Sequence, residues 1–430
     1  MSCSHQRKGK NMQYKVMPLL YSGNEKFKNT IRFSVEFIDA IDFDSLSYAV
    51  KQVQKRYPYF SVKIKEQNEE FVLVSNPKPF IISKKNRPIC LNSRESNEHL
   101  LAFAYDNNII SVDISHFICD GNGLIPLVKT LCYYYILRRY NDSGIDVSNI
   151  YTTKDNINDE EYLYPIPNSP LLEEHSETYQ FESDNRFSFD TDFFKGDNVY
   201  AYHLQIKQAD LMKFAKSNHG SPLSLISIML YKSTVEIFPQ TDKDIVFQIP
   251  HTYRETLKKP LSHDCLARVV FAKLSPKQKD EDMSFLNDTF REQISLGCNK
   301  ASDIRTINGL IQLDAYMDTL PLSGKKKTMQ EIISSTLLPH TFGVSYTGNI
   351  SWGGMEKYIA DVHPYAGEMR KDTTISAEIF TIGEYFSLCI MQKGKNPVFV
   401  KQLIKCFDNV GIECILRGEI AYQLPDYLIP

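Results

Sequence analysis

The chain has 430 residues, of which 42% are hydrophobic and 23% charged, and its formal net charge is −3. That length exceeds what one core normally serves and predicts two units of roughly 200 residues each. The balance excludes a disordered or fibrous chain and supplies no basic field for nucleic acid.

Met1 to Lys8 carry basic residues with no apolar core behind them, so the opening does not read as a secretory signal. Asp44 is placed to cap a helix whose apolar face is Leu46, Ala49, Val50, Val53 and Tyr57, closed by Pro58. Phe60, Val62 and Ile64 then alternate, Gln67 to Glu70 form a polar turn, and the alternation resumes from Phe71, which predicts a hairpin. Farther on, Ile110, Val112 and Ile114 alternate with Ser111, Asp113 and Ser115, as in a half-buried strand.

That strand runs into His116-Phe117-Ile118-Cys119-Asp120-Gly121. An imidazole at a strand end can project into a cleft as a general base, whereas one in mid-strand points into the core or into water. Asp120 reads as an organiser that pairs with a cation, and Gly121 lets the backbone turn without a Cβ clash. Gly121-Asn122-Gly123 supplies the turn and N-cap of a helix carrying Leu124, Leu127, Val128 and Leu131, with Pro126 suited to a first turn. Cys119 reads as a packing residue rather than a nucleophile.

From Asn141 to about Asp197 periodicity fades into Asn, Asp, Glu, Ser and Pro, which predicts a connection between two units. Asp210 to Lys216 is a short helical segment, and Asn218 to Pro222 supplies a C-cap glycine, an N-cap serine and a first-turn proline for a buried helix. Its apolar run, Leu223 to Tyr231, is far short of the ~20 residues that span a bilayer. Ile245 to Pro250 reads as a buried strand, and Phe342 to Ile350 as a glycine-bounded one. Ile375 to Phe380 and Tyr385 to Met391 flank a turn, and Val398 to Val410 is an amphipathic helix. Lys325, Lys326 and Lys327 predict a solvated loop. Nine cysteines form no CxxC and no metal-ligand spacing, and the odd number argues against a closed disulfide framework, which predicts a metal-free cytoplasmic protein.

The helix end Lys55-Arg56-Tyr57-Pro58-Tyr59-Phe60, the hairpin after it and the HxxxDG pattern resemble the amino-terminal lobe of the chloramphenicol acetyltransferase-like superfamily. The helix-helix-strand order over residues 210–250 resembles its carboxy-terminal lobe. The resemblance implies a mixed α/β fold of two lobes, each a mixed sheet with helices, around an active-site tunnel. Residues 1–165 would form the first lobe, 166–200 the connection and 201–430 the second lobe. It further implies a monomeric acyltransferase with His116 as general base, acyl-CoA as co-substrate, no permanently bound cofactor, and a small alcohol or amine as acceptor. In this reading Arg254 pairs with Asp120, while Ser345, Thr347, Gly348 and Trp352 supply the oxyanion contact or the tunnel wall. The lysine run at 325–327 is a candidate contact for the CoA phosphates, and His251 and His263 are rival bases outside a comparable corner. One alternative is a condensation-type enzyme taking thioesters from an acyl or peptidyl carrier protein; Ser115 stands where such domains usually have a second histidine. The other is a catalytically silent scaffold of the same fold.

Overall fold

The computed structural model describes residues 13–15, 17–23, 29–173, 181–183, 185–190, 192–194, 196, 198–336, 340–366 and 375–422; the opening eight residues lie outside them. In the first half the strands are β1 (Gln13–Lys15), β2 (Thr30–Phe37), β3 (Val62–Gln67), β4 (Glu70–Ser75), β5 (Ile82–Lys84), β6 (Leu101–Asp106) and β7 (Ile109–Ser115). Two long helices accompany them, α1 (Phe43–Arg56) and α2 (Gly121–Tyr140). Leu46, Ala49, Val50 and Val53 of α1 and Leu124, Leu127, Val128 and Leu131 of α2 share one core with Phe33, Val35, Ile110, Val112 and Ile114 of the sheet.

Several local expectations shift by a residue or two, each for a visible reason. Asp42 caps α1, accepting the Ser45 N–H, while Asp44 falls in the first turn, where its charge suits the helix dipole. The hairpin is β3–β4, with Asn68 and Glu69 both left-handed in its two-residue turn. Asp120 itself caps α2 by accepting the Gly123 N–H at 2.9 Å. Pro126 lies past the first turn, where it withholds the N–H that would reach the Asn122 carbonyl, and the helix still continues to Tyr140.

The polar face of β7 is buried as well, against expectation. Arg32 on β2 stands opposite Asp113 and donates to both its oxygens at 2.8 and 2.7 Å, and the Ile89 N–H covers the same carboxylate. Ser34 and Ser111 pair one step along. Polar residues on a strand can face protein when the neighbouring strand brings their partners.

The second half contributes β8 (Val199–Lys207), β9 (Ile245–Thr252), β10 (Ala267–Leu274), β11 (Phe342–Tyr346), β12 (Ile359–Ala366), β13 (Ile375–Ile382), β14 (Tyr385–Lys393) and β15 (Cys414–Tyr422). Its helices are α3 (Gln208–Ser217), α4 (Pro222–Ile237), the single turn α5 (Arg254–Leu257), α6 (Met283–Gly297), α7 (Lys300–Asp318), α8 (Leu322–Thr336) and α9 (Val398–Asp408). Seven strands form one mixed sheet in the order β10-β9-β11-β13-β14-β8-β15, with β11 parallel to both neighbours. One face of it packs on the apolar sides of α4 and α9. The eighth strand, β12, leaves its own half and joins the first sheet, whose order is β12-β2-β7-β6-β5. Among the described residues the remaining sheet is β1-β4-β3.

Ser221 caps α4 with Pro222 at its first position, as the sequence predicts. The left-handed residue before it is His219 rather than Gly220; glycine is needed at 220 because a Cβ there would stand 2.5 Å from Asn287 Oδ1. The lysine run is helical, in α8, and not a solvated loop. Lys325 is buried and its Nζ lies 2.8 Å from Glu70 Oε1, which removes it as a free phosphate contact. Between the halves, the turn Asp159–Glu161 acts as a tie. Glu161 takes two hydrogen bonds from Arg56 and one from Tyr59, and its carbonyl accepts the His263 N–H.

Candidate active site

β7 ends at Ser115 because the chain turns there: the His116 N–H donates to the Asn29 carbonyl at 2.7 Å and the Ile118 N–H reaches back to Ser115. The turn buries Phe117, Ile118 and Cys119 and leaves His116 half-buried. His116 Nδ1 is sealed and makes no hydrogen bond; the nearest acceptors are the backbone carbonyls of His116 itself and Cys119. Nε2 is thus the nitrogen that keeps access to the space outside the turn. Burial pulls the imidazole below its ordinary pKa, with the Asp120 carboxylate opposing the shift, so the ring is neutral at neutral pH.

Asp120 is fully engaged elsewhere. Arg254 Nη1 donates to its Oδ2 at 2.8 Å and Nη2 to its Oδ1 at 2.7 Å, and the Leu266 N–H adds a third contact to Oδ2. Arg254 spends its remaining donors on the Ser262 and Asp264 carbonyls and on Thr252 Oγ1. Both side chains are at most 7% exposed, so this is a buried, doubly hydrogen-bonded pair that clamps the start of α2 to the loop after α5. The structure therefore brings Asp120 and Arg254 together.

Ser345 lies on β11 and Thr347 just beyond it, on the same face by strand alternation. A Cβ built on Gly121 would stand 3.9 Å from the Thr347 methyl, so the exit of β11 lies over the motif glycine. Thr347 Oγ1 is buried without a hydrogen-bond partner. Gly348 is left-handed (φ 81°) and faces open space, so a side chain there meets backbone strain rather than a clash. Trp352 departs from its expected place in a wall. It is 3% exposed, packs in the core of the first sheet and donates its indole N–H to the Thr381 carbonyl. Its flat apolar bulk is used to join β13 to that core.

Gly123 and His263 hold the start of α2 in place. The sequence places Gly123 in a turn, and a Cβ there would stand 2.2 Å from the His263 carbonyl oxygen, so only glycine lets the loop after α5 reach α2. His263 Nδ1 in turn pairs with the Gly123 carbonyl, and the ring lies among Tyr57, Tyr59 and Phe60. Burial depresses its pKa to about 4. Beside it, burial pushes the Asp264 carboxyl up to about 7. His263 and Asp264 line a cavity with Tyr59, Phe60 and Tyr164, closed on one side by Phe117 and Ile118 of the motif. His251, the other rival base, is tied to Asp303 at 3.4 Å. Cys119 is buried and its thiol is held protonated by desolvation, which removes it as a nucleophile.

The fold is shared with solved structures of low sequence identity. The apo structure of F. graminearum TRI101 superposes with a TM-score of 0.62 at 10% identity, covering 94% of this chain and 100% of that one. F. sporotrichioides TRI101, solved with coenzyme A and T-2, gives 0.58 at 10% identity over 95% of this chain and all of its own. Polyketide synthase associated protein 5 from Mycobacterium tuberculosis gives 0.55 at 13% identity, covering 91% and 97%, and the first condensation domain of the CDA synthetase gives 0.55 at 10%, covering 93% and 97%. No family model and no curated protein sequence matches the chain. Among the described residues, no helix is long and apolar enough to cross a membrane and no group of three His, Cys, Asp or Glu side chains is placed to hold a metal ion.

Proposed function

We propose that this protein is an acyltransferase that moves an acyl group from a thioester, acyl-CoA, to an alcohol or amine. The observation that carries the reading is the division of labour at the motif: His116 is neutral with only Nε2 accessible, while both oxygens of Asp120 are engaged by Arg254. The acceptor oxygen or nitrogen attacks the thioester carbonyl as Nε2 takes its proton. The tetrahedral adduct expels the thiolate, and the proton passes from the imidazolium to sulfur. General-base assistance of this kind is worth about 10²- to 10⁴-fold. Thr347 Oγ1 is unpaired and sealed beside Gly121, and in this reading it becomes the oxyanion donor when the bound thioester opens that contact.

Coenzyme A as donor is supported by the TRI101 structures that contain it. A carrier-protein donor, as in condensation enzymes, is disfavoured by Ser115 at the position before the base. The test is thiol release from a panel of acyl-CoAs with pooled alcohols and amines, with products identified by mass spectrometry. Thiol release that requires both an acceptor and His116 is expected; a panel without turnover would leave the fold as a scaffold.

A further inference from the structure

The face of the seven-stranded sheet turned away from α4 and α9 carries a polar row. Ser345 of β11 stands opposite Glu378 of β13, Glu378 opposite Cys389 of β14, and Cys389 opposite His203 of β8. Gly343 and Ser376 form the adjacent step. Alternation places Ser345 and Thr347 on this same face, and Thr347 covers Gly121 of the motif. Strand spacing of about 4.8 Å and a rise of about 3.3 Å per residue put Glu378 roughly 8 Å from Thr347, within the span of a small acceptor.

Glu378 is an unusual member of this row. Its Oε1 accepts a long hydrogen bond from Ser376 Oγ at 3.4 Å and the Ser345 hydroxyl lies close, yet among the described residues no Lys, Arg or His pairs with it. It lies deep in the molecule but is half-buried rather than sealed. Desolvation pushes its carboxyl up to about 7. A buried carboxyl whose neighbours are hydroxyls and a thiol is costly to ionise until a cation arrives.

We propose that Glu378 anchors a positively charged nitrogen of the acceptor, so that the acceptor class is an amino alcohol or a diamine whose second, neutral group attacks the thioester; this rests on the acyl-transfer reading. The anchored ammonium keeps its protons, and the proton lost on acylation comes from the attacking group and goes to His116 Nε2. The hydroxyls of Ser345 and Ser376 orient the carboxylate, and the Cys389 thiol beside it is held neutral by burial.

The experiment compares 4-amino-1-butanol with 1,4-butanediol, a neutral isostere, using acetyl-CoA as donor and saturation-transfer NMR for binding without donor. Wild-type protein is expected to favour the amino alcohol by about tenfold in kcat/KM, the scale of one charge-assisted hydrogen bond. Glu378→Gln should collapse that ratio to about one, through KM, and Glu378→Asp should restore part of it. Because the ratio is taken within one preparation, loss of folded protein cancels. The preference should fade as pH falls through about 7, where the carboxylate takes up its proton. Equal use of the two acceptors by wild-type protein, or a ratio untouched by Glu378→Gln, overturns the anchor while leaving acyl transfer standing. Glu378-dependent binding of the amino alcohol with no thiol release sustains the anchor and sinks acyl transfer. Absence of selective binding overturns the anchor whether or not transfer occurs.

Discussion

Two histidines stand near the start of α2, His263 buried and His116 half-buried, and they differ in whether a ring nitrogen is open. Desolvation lowers both, so each is neutral at neutral pH. His263 has Nδ1 tied to the Gly123 carbonyl, aromatic rings around it, and an Nε2 that is sealed without a partner. His116 has its Nδ1 sealed and its Nε2 open. A depressed pKa therefore does not distinguish a base from a packing residue; access to one nitrogen does.

The largest effect that would break this contrast is expected at His116. His116→Ala should lower kcat/KM by about 10²- to 10⁴-fold with an unchanged far-ultraviolet spectrum, whereas folded His263→Ala should retain most of its turnover. Comparable losses in both variants would place the chemistry in the His263 cavity instead. Next comes the clamp: Asp120→Asn leaves Arg254 buried and short of its counter-charge and should cost about 3–5 kcal/mol in urea denaturation. A midpoint equal to wild type would mean that the pair is dispensable.

The third expectation concerns pH. His263 has a folded-state pKa near 4 against an ordinary value of 6.5, so the unfolded chain binds the proton first. Stability present above pH 6.5 is then lost as pH falls towards 4, by about 3 kcal/mol, and His263→Gln should flatten that stretch of the stability curve. The His116 shift has the same sign, so the acid limb of kcat/KM should lie below the ordinary histidine value; a limb above it would contradict a desolvated base. The smallest effect is Trp352→Phe, which forfeits the hydrogen bond to Thr381 and should cost about 1 kcal/mol with no change in KM.

The sequence was legible wherever one short segment carries its own logic. The alternation before His116, the Ser221-Pro222 helix start and the Thr381–Glu384 turn all recur in the structure, because local backbone chemistry decides them. Asp113 is buried where alternation alone predicts solvent, because its partner, Arg32, lies 81 residues away and no local pattern announces it. Gly123 looked like turn chemistry because its need for glycine comes from the His263 carbonyl, on a different loop. The helices over 283–336 announce themselves with Asp282 and Asn299 caps that went unread, and the lysine run was misplaced with them. Glu378 could not be singled out at all: its meaning depends on which strands flank it.

The crossover of β12 has a consequence for how the chain is made. β2 leaves the ribosome early, but the strand that completes its outer edge, residues 359–366, follows some 320 residues later. At about 5–20 residues per second the edge stays open for roughly 15 to 65 seconds. During that interval the backbone groups of Arg32, Ser34 and Glu36, which face away from β7, form a ready template for another strand. A chain stopped before β12 is accordingly expected to self-associate through β2, and sedimentation of such a fragment with and without a peptide of residues 359–366 would reveal whether that late strand acts as the protein's own chaperone.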